Sequence, residues 1–212
     1  MNRITRRTAG VLVMFACLLA AGTFNVTYAM NVKKQNLVDL LTHTDSIVVG
    51  TVAEKTDGFQ DGLPYTEITL NVGQSLKGDH GMTYTFRQFG LVSPRKADDG
   101  RINMMVTPAG WPTYTVGERV MLFLHKPAAR TGFQTTAGLV QGKFMLHKDR
   151  IVNSTNNADL FSRVEFKKAL KPSFADLVNQ PGGAYAAEDF IELVRTAVND
   201  KWIENGVMTN AQ

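Results

Sequence analysis

The chain is poor in cysteine and lacks the commonest sequence signatures of catalysis. Its 212 residues include one cysteine, Cys17, and four scattered histidines, none in the His-x-x-x-His spacing that places two imidazoles on one helix face. There is no Gly-x-Ser-x-Gly elbow for a nucleophilic serine and no Gly-x-x-x-x-Gly-Lys-Ser/Thr loop for phosphate. These absences argue against a helix-borne zinc site, an elbow-type serine hydrolase and a P-loop nucleotide-binding protein.

The sequence also has only one long apolar run, which lies close to the N-terminus. Three arginines and no acidic residue precede the largely apolar segment 9–22, and the small residue Ala29 follows it. This order predicts a secretory signal peptide at 1–29, a mature N-terminus at Met30 and export to the periplasm or the extracellular medium. An uncleaved membrane anchor is the alternative. No later stretch is apolar enough to span a bilayer, so no membrane insertion is expected after cleavage.

Removal of the signal changes both the charge and the cysteine content. The full chain has 23 basic and 19 acidic residues, but three of the arginines lie in the signal, which leaves 20 basic residues against 19 acidic ones. A nearly neutral chain is not expected to bind nucleic acid through a basic patch. Because Cys17 is removed too, the mature protein has no disulfide, thiol nucleophile or thiolate metal ligand. Its stability must come from a packed core.

Alternating apolar and polar residues predict the β-strands. In the run 65–78, Ile68 and Leu70 share one face with other apolar residues while polar side chains occupy the opposite face, which is typical of a half-buried strand. The runs 46–54 and 117–125 are apolar on both faces, so both strands are expected to be covered on two sides. A further strand is predicted at 82–90, with two or three short strands within 132–152.

Glycine and polar residues predict where the strands bend and end. Gly50 indicates a bulge within the first strand. The segment 55–64 contains Asp-Gly twice and a Gly-Leu-Pro exit, which predicts a turn region joining two strands of a hairpin. Helices are predicted after the N-cap residue Asn36, within 172–179 and in the amphipathic segment 182–202, whereas the tail 205–212 is expected to fray.

The segment 91–117 interrupts the strand pattern. It contains three prolines and mixed charge with no sustained period, and irregular segments of this length in compact domains are usually functional or mobile. Its larger apolar side chains include Met104, Met105, Trp111 and Tyr114. Each must either pack back on the sheet or contact a partner. Trp111 is interpreted either as a structural plug or as a recognition residue.

Five to seven short antiparallel strands, with a helix before them and one or two after, predict a mainly β fold of the α+β class. A small antiparallel OB-like barrel with a short N-terminal helix and a C-terminal helix is the favoured arrangement, and a flat sandwich is the alternative. The predicted domains are the signal peptide at 1–29, the barrel domain at 30–152, and a C-terminal helical extension at 153–212 that packs on the barrel.

Four stretches resemble a group of exported bacterial proteins of unassigned function with an OB-type barrel. They are TDSIVVGTV at 44–52, YTEITLNVGQSLKG at 65–78, VGERVMLFL at 116–124 and GLVQGKF at 138–144. The first two are also similar in pattern to the netrin-like domain of tissue inhibitors of metalloproteases. The resemblance implies a barrel rather than a reaction. Those inhibitors bind the protease zinc through an N-terminal cysteine, and the mature chain has none, so that mechanism does not carry over.

Two classes of function remain open. The first is an exported, non-enzymatic binding module without a cofactor, which binds an exported protease or envelope protein through Trp111, Met104, Met105 and Tyr114. The second is a secreted hydrolase or metal-dependent enzyme whose residues converge only in the fold. Its candidate residues are Asp45 and Asp61, together with the weak metal ligands His125 and His147. Both histidines end an apolar strand. A pocket with paired histidines or carboxylates would favour the enzyme.

Overall fold

The computed structural model describes residues 33–96, 100 and 102–211, so the predicted signal peptide, with Cys17, lies outside the described residues. The helices are α1 (Leu37–His43), α2 (Pro172–Val178) and α3 (Ala187–Asn199), with a 3-10 turn at Leu139–Gly142. The strands are β1 (Ser46–Gln60), β2 (Leu63–Lys77), β3 (Thr83–Phe89), β4 (Arg95–Lys96), β5 (Ile102–Asn103), β6 (Arg119–Leu124), β7 (Lys143–His147), β8 (Arg150–Asn153), β9 (Val164–Phe166), β10 (Tyr185–Ala186) and β11 (Met208–Asn210). None of these helices combines the length and the apolar character needed to cross a membrane.

Seven strands form one antiparallel sheet in the order β10-β8-β7-β6-β1-β2-β3. The fold is therefore mainly β and of the α+β class, as the sequence predicts. The sheet is not closed into a barrel, so the predicted OB-like barrel is unconfirmed. The segment 134–137 contacts both β3 and β6 through hydrogen bonds and an isolated bridge between Leu124 and Thr136, without forming a continuous strand. Gln134 N donates to Arg87 O at 2.7 Å, and Ala137 N donates to Phe123 O at 2.7 Å.

The β1–β2 hairpin is longer than the sequence predicts. Strand pairing continues to Gln60 and Leu63, which leaves only Asp61 and Gly62 in the turn. Their φ angles of 50° and 76° lie in the left-handed region, which an Asp-Gly pair adopts readily in a two-residue hairpin. The prediction of a turn region over 55–64 is therefore wrong, because the polar residues before Asp61 belong to a strand.

Gly50 lies at an irregularity in β1, as predicted. The register of the β1–β2 pair shifts between Val49 and Gly50. A Cβ atom at position 50 would lie 2.5 Å from the backbone oxygen of Asn71 on β2, so no larger residue fits without movement of the backbone. The bulge and the missing side chain together let two strands approach closely at the centre of the sheet.

The two faces of the sheet are covered by different parts of the chain. On one face, α1, α3 and the C-terminal region pack over residues such as Val49 and Phe123, and we call this the helix-side core. The opposite face carries a smaller cluster, the loop-side core, which consists of Val48, Val52, Ile68, Leu70, Phe86, Tyr114, Val120, Leu122 and Leu124. Both β1 and β6 contribute to both cores, which confirms that they are covered on two sides.

The C-terminal tail does not end as the sequence predicts. Residues Met208–Asn210 form β11, which pairs with β9 in a separate two-stranded ribbon, and Met208 is fully buried in the helix-side core. The prediction that 205–212 frays is therefore wrong over this strand. The two predicted C-terminal helices, by contrast, are confirmed as α2 and α3.

A buried asparagine pair organises the chain where it leaves β8. The amide of Asn157 is fully buried and donates to the backbone oxygens of Ile151 and Gly183 at 3.0 and 2.8 Å. Its own oxygen accepts the backbone N–H of Asn153 at 2.9 Å. In return, the side-chain oxygen of Asn153 accepts the backbone N–H of Asn157 at 2.8 Å. These reciprocal bonds satisfy buried polar groups that would otherwise destabilise the fold.

Candidate functional site

The described parts of the segment 91–117, residues 91–96, 100 and 102–117, are folded rather than structureless. They contain the short β4–β5 ribbon, and Leu91 and Val106 form a parallel bridge at its base. Asp57 on β1 fastens the ribbon, because its carboxylate accepts the backbone N–H of Val92 at 2.9 Å and pairs with the guanidinium of Arg95. The sequence did not reveal β4 or β5, since each strand contains only two residues.

The second half of the segment lies across the loop-side face of the sheet and is held there by three side chains. Gln88 Nε2 on β3 donates to Pro112 O at 2.9 Å, and Lys55 Nζ on β1 donates to Tyr114 O at 2.8 Å. Lys143 Nζ on β7 donates to the backbone oxygen of Thr113. Donors from three strands therefore position one short stretch of backbone over the sheet.

A cleft of about 510 Å³ lies between the segment and the sheet. Lys55, Thr66 and Gln88 line it from the sheet, and Val92, Ser93, Pro94, Val106, Thr107, Pro112, Thr113, Tyr114 and Thr115 line it from the segment. Among these residues only Lys55 and Tyr114 are titratable. The described lining therefore offers hydroxyls, one amide, apolar surface and one ammonium, but neither a carboxylate nor an imidazole.

The four predicted recognition residues differ in their exposure to solvent. Met104 and Met105 are exposed at 67% and 47%. Trp111 is half-buried, with its ring edge-on to Phe89 at a centroid distance of 6.5 Å. Tyr114 is only 3% exposed and belongs to the loop-side core, so its placement as a surface recognition residue is a correction to the prediction. Its ring packs edge-on against Phe86 at 5.7 Å, which explains its burial.

Beside Tyr114 lies a partly buried ion pair that the sequence did not reveal. Lys143 Nζ lies 2.6 Å from Glu118 Oε1, and the same ammonium lies 4.7 Å from the centroid of the Tyr114 ring. The Glu118 carboxylate also accepts the backbone N–H of Thr115 at 2.8 Å. Burial lowers the pKa of Lys143, and the Glu118 carboxylate opposes that change. The pair helps to fix the end of the segment next to β6.

The Tyr114 hydroxyl is buried and has no hydrogen-bond partner among the described residues. Burial raises the pKa of this hydroxyl above its ordinary value, and the negative charge of Glu118 raises it further. A buried hydroxyl without a partner costs about 1–3 kcal/mol. We therefore expect Tyr114→Phe to be as stable as the unaltered protein at pH 7, or more stable by about 1 kcal/mol.

The same substitution has a second consequence at high pH. Because the pKa of Tyr114 is higher in the folded protein, the unfolded chain loses this proton first. Its ionisation therefore lowers the free energy of unfolding as the pH rises above about 10. The free energy of unfolding in urea, measured at pH 7 and pH 11, should fall less in Tyr114→Phe than in the unaltered protein. A loss of more than about 2 kcal/mol at pH 7 would instead mean that the hydroxyl has a partner.

The candidate enzyme residues do not converge. His125 follows β6, and His147 ends β7, but these strands are antiparallel, so the two histidines lie at opposite ends of the sheet. His125 Nδ1 donates to the backbone oxygen of His43 at 2.8 Å. Asp45 precedes β1 and Asp61 lies in the turn after it, again at opposite ends of one strand. Within the described part of the chain, no three metal-ligating side chains come together.

No protein-family model, curated protein or solved structure matches this chain. The resemblance to exported bacterial proteins and to the netrin-like domain therefore stays a prediction. What the protein does has to be inferred from its own residues and their geometry, above all from the segment 91–117 and the cleft beneath it.

Proposed function

We propose that this protein is an exported, non-enzymatic binding module that recognises an exported protease or envelope protein through the segment 91–117. The observation that carries the proposal is a set of exposed apolar side chains in and next to the β4–β5 ribbon. Ile102 and Met104 are exposed at 65% and 67%, and Val92 and Met105 are also exposed. Apolar side chains grouped on an exposed surface often form protein-protein contacts, because burying them against a partner is favourable.

The contacts that hold the β4–β5 ribbon on the sheet support a role in binding a partner. The ion pair between Asp57 and Arg95 and the bridge at Leu91 and Val106 hold the ribbon on the sheet before any partner arrives. A surface that is already ordered loses little conformational entropy on binding, which improves affinity. Trp111 belongs to the same segment and supplies a partly exposed aromatic side chain of the kind that often anchors interfaces.

The proposal also includes export of the protein and an OB-like barrel fold. The basic start, apolar run and small residue at 1–29 favour export. The isolated hydrogen bonds of the segment 134–137 to β3 and β6 favour a barrel-like arrangement around the loop-side core. OB-type folds often bind their ligands through loops next to one face of the sheet, which is where the segment 91–117 lies.

The hydrolase alternative lacks a comparable observation. General acid-base catalysis needs a proton donor or acceptor positioned in the cleft, and nucleophilic catalysis needs a nucleophile beside a base. The described lining of the cleft has neither a histidine nor a carboxylate. A lining of hydroxyls and apolar surface suits binding better than hydrolysis.

Site-specific photo-crosslinking tests the proposal. A benzoylphenylalanine in place of Met104 is expected to crosslink the mature protein to one discrete partner in its native host. The matched control is Met82, which is 88% exposed but lies between β2 and β3, outside the segment 91–117. The same group in place of Met82 is expected to give no such product. Equal products from both positions, or none from Met104, would overturn the proposal.

A second variant checks that the apolar side chains themselves carry the contact. Ile102→Ser in the Met104 crosslinking protein is expected to reduce the crosslinked product about tenfold, the effect of losing about 1.4 kcal/mol of binding energy. Because Ile102 is exposed, the melting temperature should change by no more than a few degrees. A large loss of melting temperature with an unchanged product would instead mean that Ile102 stabilises the fold and contributes nothing to recognition.

A further inference from the structure

The cleft beneath the segment 91–117 contains one positive charge that no carboxylate among the described residues balances. Lys55 lines the cleft, and its ammonium donates to the backbone oxygen of Tyr114. Two carboxylates accept backbone N–H groups of the lining residues Val92 and Thr115, but both are paired with other cations. Asp57 pairs with Arg95, and Glu118 pairs with Lys143. Among the described residues that line the cleft, Lys55 therefore carries the one ammonium, and no described carboxylate pairs with it.

The position of Lys55 in the sheet keeps this charge beside the cleft. Lys55 on β1 pairs with Ile68 on β2, so its side chain starts from the face that carries the loop-side core. A second ammonium lies close by, because Lys143 donates to the backbone oxygen of Thr113, next to the Tyr114 oxygen that accepts from Lys55. Burial lowers the pKa of Lys143, and the nearby charge of Lys55 also lowers it. An anion beside Lys55 would reduce the repulsion between these two cations as well as neutralise Lys55 itself.

The rest of the lining favours a peptide over a plain alkyl chain. Hydroxyl groups come from Ser93, Thr107, Thr113 and Thr115, and apolar surface comes from Val92, Pro94, Val106 and Pro112. Hydroxyls can donate to or accept from peptide groups, whereas an alkyl chain offers them no hydrogen bond. A volume of about 510 Å³ is within the ordinary range for a pocket that holds a small ligand or a few residues of a chain.

We propose that the cleft binds the C-terminal carboxylate of a partner chain on the Lys55 ammonium, with the partner's last, apolar residue against the apolar part of the lining. This inference rests on the proposed binding function and adds the chemical group that is recognised. The exposed apolar side chains of the β4–β5 ribbon belong to the same segment as the cleft lining, so one partner is expected to contact both. A carboxylate on an ammonium is a charge-assisted contact and is the stronger for being partly shielded from water.

Equilibrium dialysis with two peptide pools tests the inference without altering the protein. Both pools contain N-acetylated tripeptides of random sequence that end in Leu, Ile or Val, and they differ only in a free carboxyl or an amidated C-terminus. The mature protein is expected to retain peptides of the free-acid pool about tenfold more strongly than those of the amidated pool, as expected for one charged hydrogen bond. Equal retention of both pools, or retention of neither, would overturn the inference.

Variants of Lys55 test whether this side chain causes the preference for peptides with a free C-terminal carboxylate. Lys55→Met is expected to remove the preference for the free acid, and Lys55→Arg to keep most of it because the charge remains. Lys126→Met is the matched control, since Lys126 is exposed outside the cleft, and it should bind as the unaltered protein does. A preference that survives in Lys55→Met, with an unchanged melting temperature, would overturn the role of Lys55.

Two further measurements distinguish a peptide carboxylate from a fatty-acid carboxylate, and this inference from the proposed function. Decanoate supplies a carboxylate on an alkyl chain, and tighter retention of decanoate than of the free-acid pool would replace the peptide with a fatty acid and overturn the inference. The crosslinking at Met104 does not depend on the carboxylate. Crosslinking without a preference for the free acid would leave the proposed function standing and reject this inference. A preference for the free acid without crosslinking would reject the contact at Met104 and leave the carboxylate site of the cleft.

Discussion

The substitution Leu70→Asp is expected to abolish the cooperative unfolding transition of the protein. Leu70 is fully buried in the loop-side core, where its strand partners are Val52 and Tyr84. Neither neighbour carries an opposite charge, so the new carboxylate would be buried and unpaired at a cost of several kcal/mol. That cost is comparable to the whole stability of an ordinary domain, about 5–15 kcal/mol. Circular dichroism during heating should show no sharp transition.

The next residue provides a matched control with the same new side chain. Asn71 is exposed on the opposite face of β2, so Asn71→Asp places the carboxylate in water. Its free energy of unfolding should differ from that of the unaltered protein by less than about 1 kcal/mol. If Asn71→Asp unfolds the protein and Leu70→Asp does not, the strand is shifted by one residue from the register described above.

The second large effect is expected at Asn157, where Asn157→Ala should lower the free energy of unfolding by about 3 kcal/mol or more. The substitution leaves the carbonyl oxygens of Ile151 and Gly183 without the amide that donates to them. It also leaves the backbone N–H of Asn153 without its acceptor. Each buried group left without a partner costs about 1–3 kcal/mol. Urea unfolding followed by tryptophan fluorescence measures the change.

Asn156 separates the hydrogen bonds of Asn157 from the strain of the backbone. Both asparagines have a positive φ, 57° for Asn156 and 53° for Asn157, so alanine is disfavoured at both positions for the same reason. Asn156, however, is exposed. Asn156→Ala should therefore cost only about 1 kcal/mol. Similar losses from the two substitutions would show that backbone conformation, rather than the buried amide, explains the effect at Asn157.

The parts of the fold that the sequence predicted correctly are those with a local physical cause. Asn36 caps α1 through its side chain, which accepts the backbone N–H of Asp39 at 3.0 Å. The alternation around Leu70 follows from the two faces of a strand. The missed parts depend on distant partners. Asp57 is a strand residue whose ion-pair partner Arg95 is 38 residues away, and β11 exists only because β9 is there to pair with it.

The candidate site was only partly predictable for the same reason. The segment 91–117 was identified because prolines and the lack of a period distinguish it from the strands around it. Inside it, no period indicates which aromatic side chain turns inward, so the sequence does not predict that Tyr114 is buried. The sequence does not indicate that Lys55 and Lys143 are neighbours, because they lie on different strands, β1 and β7. Only the pairing order of the sheet brings them together.

The burial of Asn153 has a consequence for how the protein can be produced. Asn153, Ser154 and Thr155 form the acceptor sequence for N-linked glycosylation. Asn153 is only 4% exposed, and the nitrogen to which a sugar would be attached donates to the backbone oxygen of Gln141 at 3.0 Å. A eukaryotic secretory host glycosylates this sequence in surface loops, and a sugar added there before folding could not be accommodated in the native structure. Such a host would turn a stabilising asparagine into an obstacle to folding, which a bacterial host avoids.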